Sequence, residues 1–367
     1  MRITLIGPAY PLRGGIAHHT FLLHQELIQR GHAVQVISFS RLYPKFLFPG
    51  KRMTDESQLK LDVGAHQVLD SLNPRSWLTT FSLISRFHPD LIVIEWWSPA
   101  VAPAIGTLVR LLRRAGRPIV MECHNVFPHE RTPVDFFLVD YALGSVDNFI
   151  THSEQDRRLV LATWPGKSVK IVPLPVPEVF FDSSSSARDG RKILFFGVIR
   201  PYKGLDVLLR AMALLVAKVQ CSLLVAGEFY ELETKYLQLI TDYKLEKNVK
   251  LENRYIPNEE IAALFRDADV LILPYLSATQ SGVVRMALAT GLPMIASRVG
   301  GLSEVVTENV NGLLFPPGNA DALADALMRY FKESLGPRFS NNIRSAAAAD
   351  RFILTRALEE IAGSANC

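Results

Sequence analysis

Apolar residues along this chain fall into short dense runs, separated by longer stretches whose apolar positions recur at helical spacing. The first run, RITLIG, feeds a loop, PAYPLRGG, then a helix predicted from about Ile16 to Arg30 with Gly31 as its stop. A second run, AVQVISF, completes a strand–helix–strand unit. Further strands are predicted at DLIVIEW (Asp90 to Trp96), PIVMECH (Pro118 to His124), NFITHS and VKIVPLP, with helical stretches such as VAPAIGTLVRLLRRAG between them. Continuous apolar runs alternating with helices imply a parallel sheet covered on both faces.

The pattern then breaks at VPLPVPEVFFDSSSSARDGRK, rich in proline, serine and charge, and restarts with ILFFGVIRPYKGLDVLLRAMALL. A second alternation follows through CSLLVAG, VKLENRYI, VLILPYL, PMIASRVGG and NGLLFPP. The expected architecture is α/β, with two Rossmann-like doubly wound domains at 1–178 and 190–350. The stretch 351–367 reads as a terminal helix, and the sequence leaves open whether it packs on its own domain or crosses back to the first.

A length of 367 residues suits two domains, and 49% hydrophobic with 21% charged residues excludes a disordered chain. The longest apolar runs fall short of the roughly 20 residues needed to span a bilayer. MRITLIGPAY lacks the charged start and long apolar centre of a secretory leader. The expected location is the cytoplasm, including the inner membrane face. Cys123, Cys221 and Cys367 are too far apart for a disulfide framework or a cysteine zinc site. The net charge of +4 suits phosphate-bearing ligands, but no lysine or arginine run points to nucleic acid.

Ligands of open α/β sheets sit beyond the carboxyl ends of strands, where helix N-termini offer free amides and partial positive charge. In GPAYPLRGGIAHH, Gly14 and Gly15 begin a helix and let an anion approach the backbone, although the three-glycine dinucleotide fingerprint is absent. In FFGVIRPYKGLDVLL, Arg200 and Lys203 follow a strand directly and together could neutralise a diphosphate. A third loop, SATQSG, precedes an apolar helix, and a fourth places Gly300 and Gly301 before Glu304.

These segments together resemble the retaining glycosyltransferases of family 4, whose two domains face a cleft in the GT-B fold. The likeness rests on Gly14, Gly15 and LLHQELIQRGHAVQVI in the first half. In the second it rests on GVIRPYKGLDVLLRA, ATQSGVVRMALATGLPMIASRVGGLSEVV and NGLLF. It implies a nucleotide-sugar donor held mainly by the second domain and an acceptor held mainly by the first, with no cofactor. UDP- or GDP-sugars are the favoured donors. Lys203 matches the lysine on the diphosphate, Gly15 a glycine whose amide approaches it, and His124 a histidine near the transferred sugar. The family arginine falls at Val198, and Arg200 is taken as its substitute. Tyr255 and Ile256, in NRYIPNEE, are expected beside the base, and Glu304 on the donor.

The family also carries two glutamates eight positions apart, and here those positions are Ala278 and Met286. A thioether cannot accept a hydrogen bond from ribose as a carboxylate does. Gln280 and Ser281 are the expected replacements, with the amides of Gly282, Val283 and Val284 at the helix start. The loop HNVFPHE adds His129 and Glu130, but without the helical spacing of a zinc site, so no metal is expected. The stretch FSRLYPKFLFPGKRM interleaves Arg41, Lys45, Lys51 and Arg52 with Tyr43, Phe46 and Phe48. It suits a membrane surface or a lipid-phosphate acceptor, and suits a loop packed on its own domain equally. The expected reaction is transfer of a sugar to a glycan, lipid-linked or small-molecule acceptor in envelope polysaccharide or glycolipid synthesis. A sugar-nucleotide epimerase or hydrolase, and a non-catalytic nucleotide-sugar-binding partner, remain as alternatives.

Overall fold

A computed structural model describes residues 1–43, 50, 52–128, 132–177, 191–278, 281–346 and 352–365. The chain divides into two compact units. One comprises Met1–Glu56, Lys60–Pro175 and Asp350–Cys367, the other Ser57–Leu59 and Val176–Ala349.

The first unit is built on strands β1 (Arg2–Ile6), β2 (Ala33–Arg41), β3 (His66–Asp70), β4 (Leu91–Trp96), β5 (Ile119–Cys123), β6 (Asn148–Thr151) and β7 (Ser168–Ile171). They form one sheet in the order β3-β2-β1-β4-β5-β6-β7, parallel throughout. β4 and β5 are buried at every residue, as strands covered by helices on both faces must be. β3 was not predicted, because HQVLD is short and half polar. The chain leaves β1 toward β2 and returns to pair β4 on its other side, so the topological switch lies between β1 and β4.

Helix α1 (Gly15–Gln29) covers one face of this sheet, and Leu23 and Leu27 pack with Ile3, Leu5, Val93, Val120 and Ile150. The last helix, α13 (Ile353–Ala365), joins the same cluster through Leu354, Leu358 and Ile361. Its Glu359 receives hydrogen bonds from Arg30 at 2.8 and 2.7 Å, and Thr355 donates to Glu26 at 3.1 Å. The terminal segment therefore belongs to the first unit.

In the second unit β8 (Lys192–Phe196), β9 (Ser222–Ala226), β10 (Val249–Glu252), β11 (Val270–Leu273), β12 (Met294–Ser297) and β13 (Gly312–Phe315) form a parallel sheet ordered β10-β9-β8-β11-β12-β13. Its switch lies between β8 and β11. The strand expected along VKLENRYI stops at Glu252, where Arg254 turns back to donate to the Glu252 carbonyl. Tyr255 and Ile256 thus sit in the loop beyond β10.

Candidate functional site

In the second unit the loops after β8 and β11 flank the switch, and backbone contacts bind them together. Leu276 donates to the Tyr202 carbonyl at 2.7 Å. Gly204, at φ +69°, lies so close to Pro274 that a Cβ would stand 2.0 Å from its carbonyl oxygen. Only glycine meets both demands. This pairing fixes the turn Pro201–Lys203 against the edge of the sheet.

Lys203 is buried, and its ammonium lies beside Gly197 and 5.4 Å from the centre of the Tyr275 ring. Burial lowers its pKa, opposed in part by Tyr202, and the Arg200 charge adds a lesser lowering. Among the described residues no carboxylate forms an ion pair with it. A buried ammonium without a counter-charge is costly unless an anion arrives. Arg200 stacks its guanidinium over Tyr230, 5.0 Å from the ring centre.

Helix α9 (Gly282–Thr290) begins just after the β11 loop. Gly282 is exposed with open space around it, so its amide can meet a ligand. The Val284 amide is not available: it donates to the Ser281 carbonyl at 3.1 Å, and its side chain is in the core. Of the expected set Gly282, Val283 and Val284, the Val284 amide is thus already engaged in the first turn of α9. Ser281 is buried with its hydroxyl 3.5 Å from that of Tyr275 and does not cap α9. Gln280 lies outside the described residues, as do His129, Glu130, Lys45, Lys51, Phe46 and Phe48.

The two positions where the family pattern carries glutamate are apolar in packing as well as in sequence. Ala278 is buried in a core cluster with Leu273 and Tyr275, and Met286 packs against the same cluster. Ile256 belongs to that cluster too, so only its backbone could face a base, whereas Tyr255 is half-buried. Glu304 is exposed on the short helix Leu302–Val305 after β12. Arg285, which sequence reading passed over, is largely buried on α9, its Nε has no hydrogen-bond partner among the described residues, and burial lowers its pKa to about 10.

In the first unit Gly14, at φ +116°, precedes α1, and nothing would obstruct a Cβ on either Gly14 or Gly15. The carboxyl ends of β4 and β5 hold a cluster that sequence reading missed apart from His124. Glu95 and Glu122 are direct neighbours in register, so both side chains project from the same face, toward α1. Apolar Val93 and Val120 occupy the preceding positions on that face. The signal was present in LIVIEW and MECH, each an apolar strand ending in glutamate, but the pairing of the two strands was not legible.

His19 from α1 stands 2.8 Å from Glu122, and His152, after β6, stands 3.3 Å from the same oxygen. Burial alone would lower the His19 pKa, but the charge and hydrogen bond of Glu122, with Glu95 and Glu26 adding, raise it to about 9. Burial likewise would raise Glu122, yet His19 and His152 hold it well below the usual carboxylate range. Glu95 goes the other way: burial lifts it to about 8, opposed by the charge of His19, reinforced by Glu122 and opposed again, more weakly, by the Thr20 hydroxyl. His124 is held well below 6.5 by burial and by the charges of His19 and His152. Its Nε2 faces Glu95 Oε2 at 3.8 Å.

Donor atoms of His19, Glu95 and His124 lie within 4.8 Å of one another, a spacing a cation could use. The Nε2 of His19, however, is committed to Glu122, so a dication would have to displace a proton from that ion pair. The cluster is balanced by protons it already holds. Of the basic and aromatic stretch near residue 45, the described members are engaged internally. Arg41 pairs with Asp70 at 2.6 Å, Arg52 pairs with Glu56, and the Tyr43 hydroxyl accepts from the Trp97 indole. No described helix is long and apolar enough to cross a membrane.

Comparison with known proteins agrees with this arrangement. An uncharacterized glycosyltransferase of Methanocaldococcus jannaschii is 25% identical over 351 residues, covering 88% of this chain and 87% of that protein. The amylovoran biosynthesis glycosyltransferase of Erwinia amylovora is 29% identical over 180 residues, 47% of this chain and 44% of that one. The structure of Anabaena HepE in complex with UDP and glucose superposes with a TM-score of 0.75 at 18% identity, covering 100% of this chain and 99% of that one. The family model for glycosyltransferase family 4 matches residues 13–178, and that for glycosyl transferases group 1 matches residues 190–333. With two parallel-sheet units of this topology and both models matched in order, the chain belongs to the family 4, group 1 glycosyltransferases and has their GT-B fold.

Proposed function

We propose that this protein is a retaining glycosyltransferase of the hexosyltransferase type, moving a sugar from a UDP- or GDP-sugar to a glycan or lipid-linked acceptor without a metal ion. The observation that carries the reading is the buried Lys203 ammonium, unpaired among the described residues, at the switch edge of the second sheet beside Arg200 and the open helix start at Gly282. These groups suit a diphosphate. As the glycosidic bond breaks, negative charge grows on the leaving phosphate, and preorganised cations stabilise that charge more than they stabilise the ground state. The leaving diphosphate takes the acceptor hydroxyl proton on the same face, so no protein carboxylate serves as nucleophile, and the apolar Ala278 and Met286 are compatible with turnover.

Gly14 and Gly15 offer backbone to the diphosphate, His124 a neutral imidazole to the transferred sugar, and Ser281, Gln280, Tyr255, Ile256 and Glu304 hold the nucleoside and sugar. The acceptor side rests on less. A relative named for amylovoran biosynthesis supports envelope polysaccharide or glycolipid synthesis as the setting, with the inner face of the membrane as the proposed place of action.

Thermal unfolding with UDP, GDP and their glucose and mannose conjugates identifies the donor by the size of the stabilisation. Lys203→Ala should weaken nucleotide diphosphate binding by about ten- to a hundredfold, as expected for losing a charged hydrogen bond. Chelator should leave turnover unchanged. Intact binding and transfer in Lys203→Ala would overturn the mechanism.

A further inference from the structure

The Thr20 hydroxyl sits at the centre of a proton-counting problem. Its oxygen is 2.6 Å from the Pro8 carbonyl, 3.1 Å from the Ile16 carbonyl and 2.8 Å from Glu95 Oε1. A hydroxyl has one proton, and carbonyls only accept. Were Glu95 a carboxylate, three acceptors would compete for that proton, and one buried oxygen pair at 2.8 Å or less would face lone pair to lone pair. A proton on Glu95 Oε1 removes the conflict: Glu95 donates to Thr20, and Thr20 donates to Pro8.

We propose that Glu95 is held as a neutral carboxylic acid and that in this form it is a positioning residue, coupling the loop that carries Gly14 and Gly15 to His124. The coupling is a hydrogen bond at the loop end and an electrostatic approach at the His124 end. Through Thr20 the acid group fixes Pro8, which begins the loop between β1 and α1. Its Oε2 remains a carbonyl oxygen aimed at His124 Nε2, 3.8 Å away, and neither atom has another hydrogen-bond partner among the described residues. Gly7 makes room for it, since a Cβ there would stand 2.6 Å from Oε2.

The charged groups around Glu95 come from each element packed against it. α1 brings His19 and, farther along, Glu26; β5 and its following residue bring Glu122 and His124; His152 follows β6. α13 brings no charge to it, because Glu359 and Glu360 pair with Arg30, His32 and Lys170. Ionising Glu95 would place a second buried anion beside Glu122 and turn the Thr20 proton away from Pro8. The loop would then lose its anchor.

The test compares Glu95→Ala with Glu95→Gln. A glutamine amide can donate to Thr20 and present its oxygen to His124, as the neutral acid does. Glu95→Ala should lower UDP-glucose turnover on the order of ten- to a hundredfold through misplacement of the loop, and Glu95→Gln should restore it. Wild-type turnover should fall about tenfold per pH unit above the Glu95 pKa, and Glu95→Gln should lose that limb. Infrared difference spectra of wild type minus Glu95→Gln, taken from about pH 6 to about pH 10, should show a protonated-carboxyl band that vanishes as Glu95 ionises. If no such band exists near pH 6, or Glu95→Gln is as impaired as Glu95→Ala, the proposal is wrong. The turnover arm rests on the glycosyl-transfer reading and the infrared arm does not. A folded wild type that ignores every nucleotide sugar but shows the band overturns the proposed function alone.

Discussion

Raising the pH from 6.5 to 9 should unfold the first unit more readily, and the buried cluster sets the size of the effect. His19 titrates near 9 in the fold against an ordinary value of 6.5, and Glu95 near 8 against 4.5. Both folded values are raised, so each group's stabilisation is complete below its unfolded pKa and is lost as pH rises through its folded pKa. Between 6.5 and 9 the fold holds a proton on His19 that the unfolded chain has released, at about 1.4 kcal/mol per pH unit, or roughly 3 kcal/mol in all. The part of the Glu95 effect above pH 6.5 adds roughly 2 kcal/mol. A combined loss of about 3–5 kcal/mol is a large share of the 5–15 kcal/mol typical of a domain. The other first-unit groups shifted strongly by burial act outside this window. His24 and His124 have lowered pKa values and act below 6.5, whereas Cys123 and Cys221 are raised and act above 9. All four tryptophans, at 77, 96, 97 and 164, belong to the first unit, so their fluorescence reports its unfolding. The urea midpoint followed this way should drop by at least about 1 M across the window. Glu95→Gln should remove the part of the decline below pH 8 that Glu95 causes. A midpoint that is flat or rises with pH would refute the proton inventory described for the cluster.

Two glycines in the second unit should respond oppositely. Gly204→Ala forces a Cβ into the Pro274 carbonyl at a positive φ and should cost at least about 1–3 kcal/mol in circular-dichroism melts. Gly282→Ala meets open space and should leave stability within about 0.5 kcal/mol, while weakening donor binding in titration calorimetry if its amide faces the diphosphate. Leu358→Ala removes a fully buried anchor of α13 and should destabilise the tryptophan-reported transition by about 2–5 kcal/mol. An unchanged midpoint would show that α13 does not stabilise the first unit.

The fold was legible because parallel strands buried on both faces must be apolar runs, and β4, β5, β11 and β12 are such runs. β3 escaped because an edge strand half open to water needs no such run. The helix starts at Gly15 and Gly282 and the turn at Lys203 could be found because ligand loops follow strands, a rule of chain order. The rest depends on register. Nothing in DLIVIEW or PIVMECH says that Glu95 will stand beside Glu122, because strand pairing is decided by packing across the sheet. Nor could the pattern show that the Val284 amide would turn back to Ser281.

Where the charges fall gives the missing family glutamates a physical meaning. In the second unit, carboxylates at positions 278 and 286 would have to enter the apolar cluster around Leu273 and Tyr275, and desolvating them there is expensive. Alanine and methionine avoid that cost. The ammonium of Lys203 keeps its full attraction for phosphate, because no protein carboxylate among the described residues neutralises it. What is lost is acceptor capacity for sugar and ribose hydroxyls, since neither a methyl nor a thioether replaces a carboxylate in that role. Under the proposed function, this balance would shift binding energy from the nucleoside toward the diphosphate, the part of the donor on which charge develops as the glycosidic bond breaks.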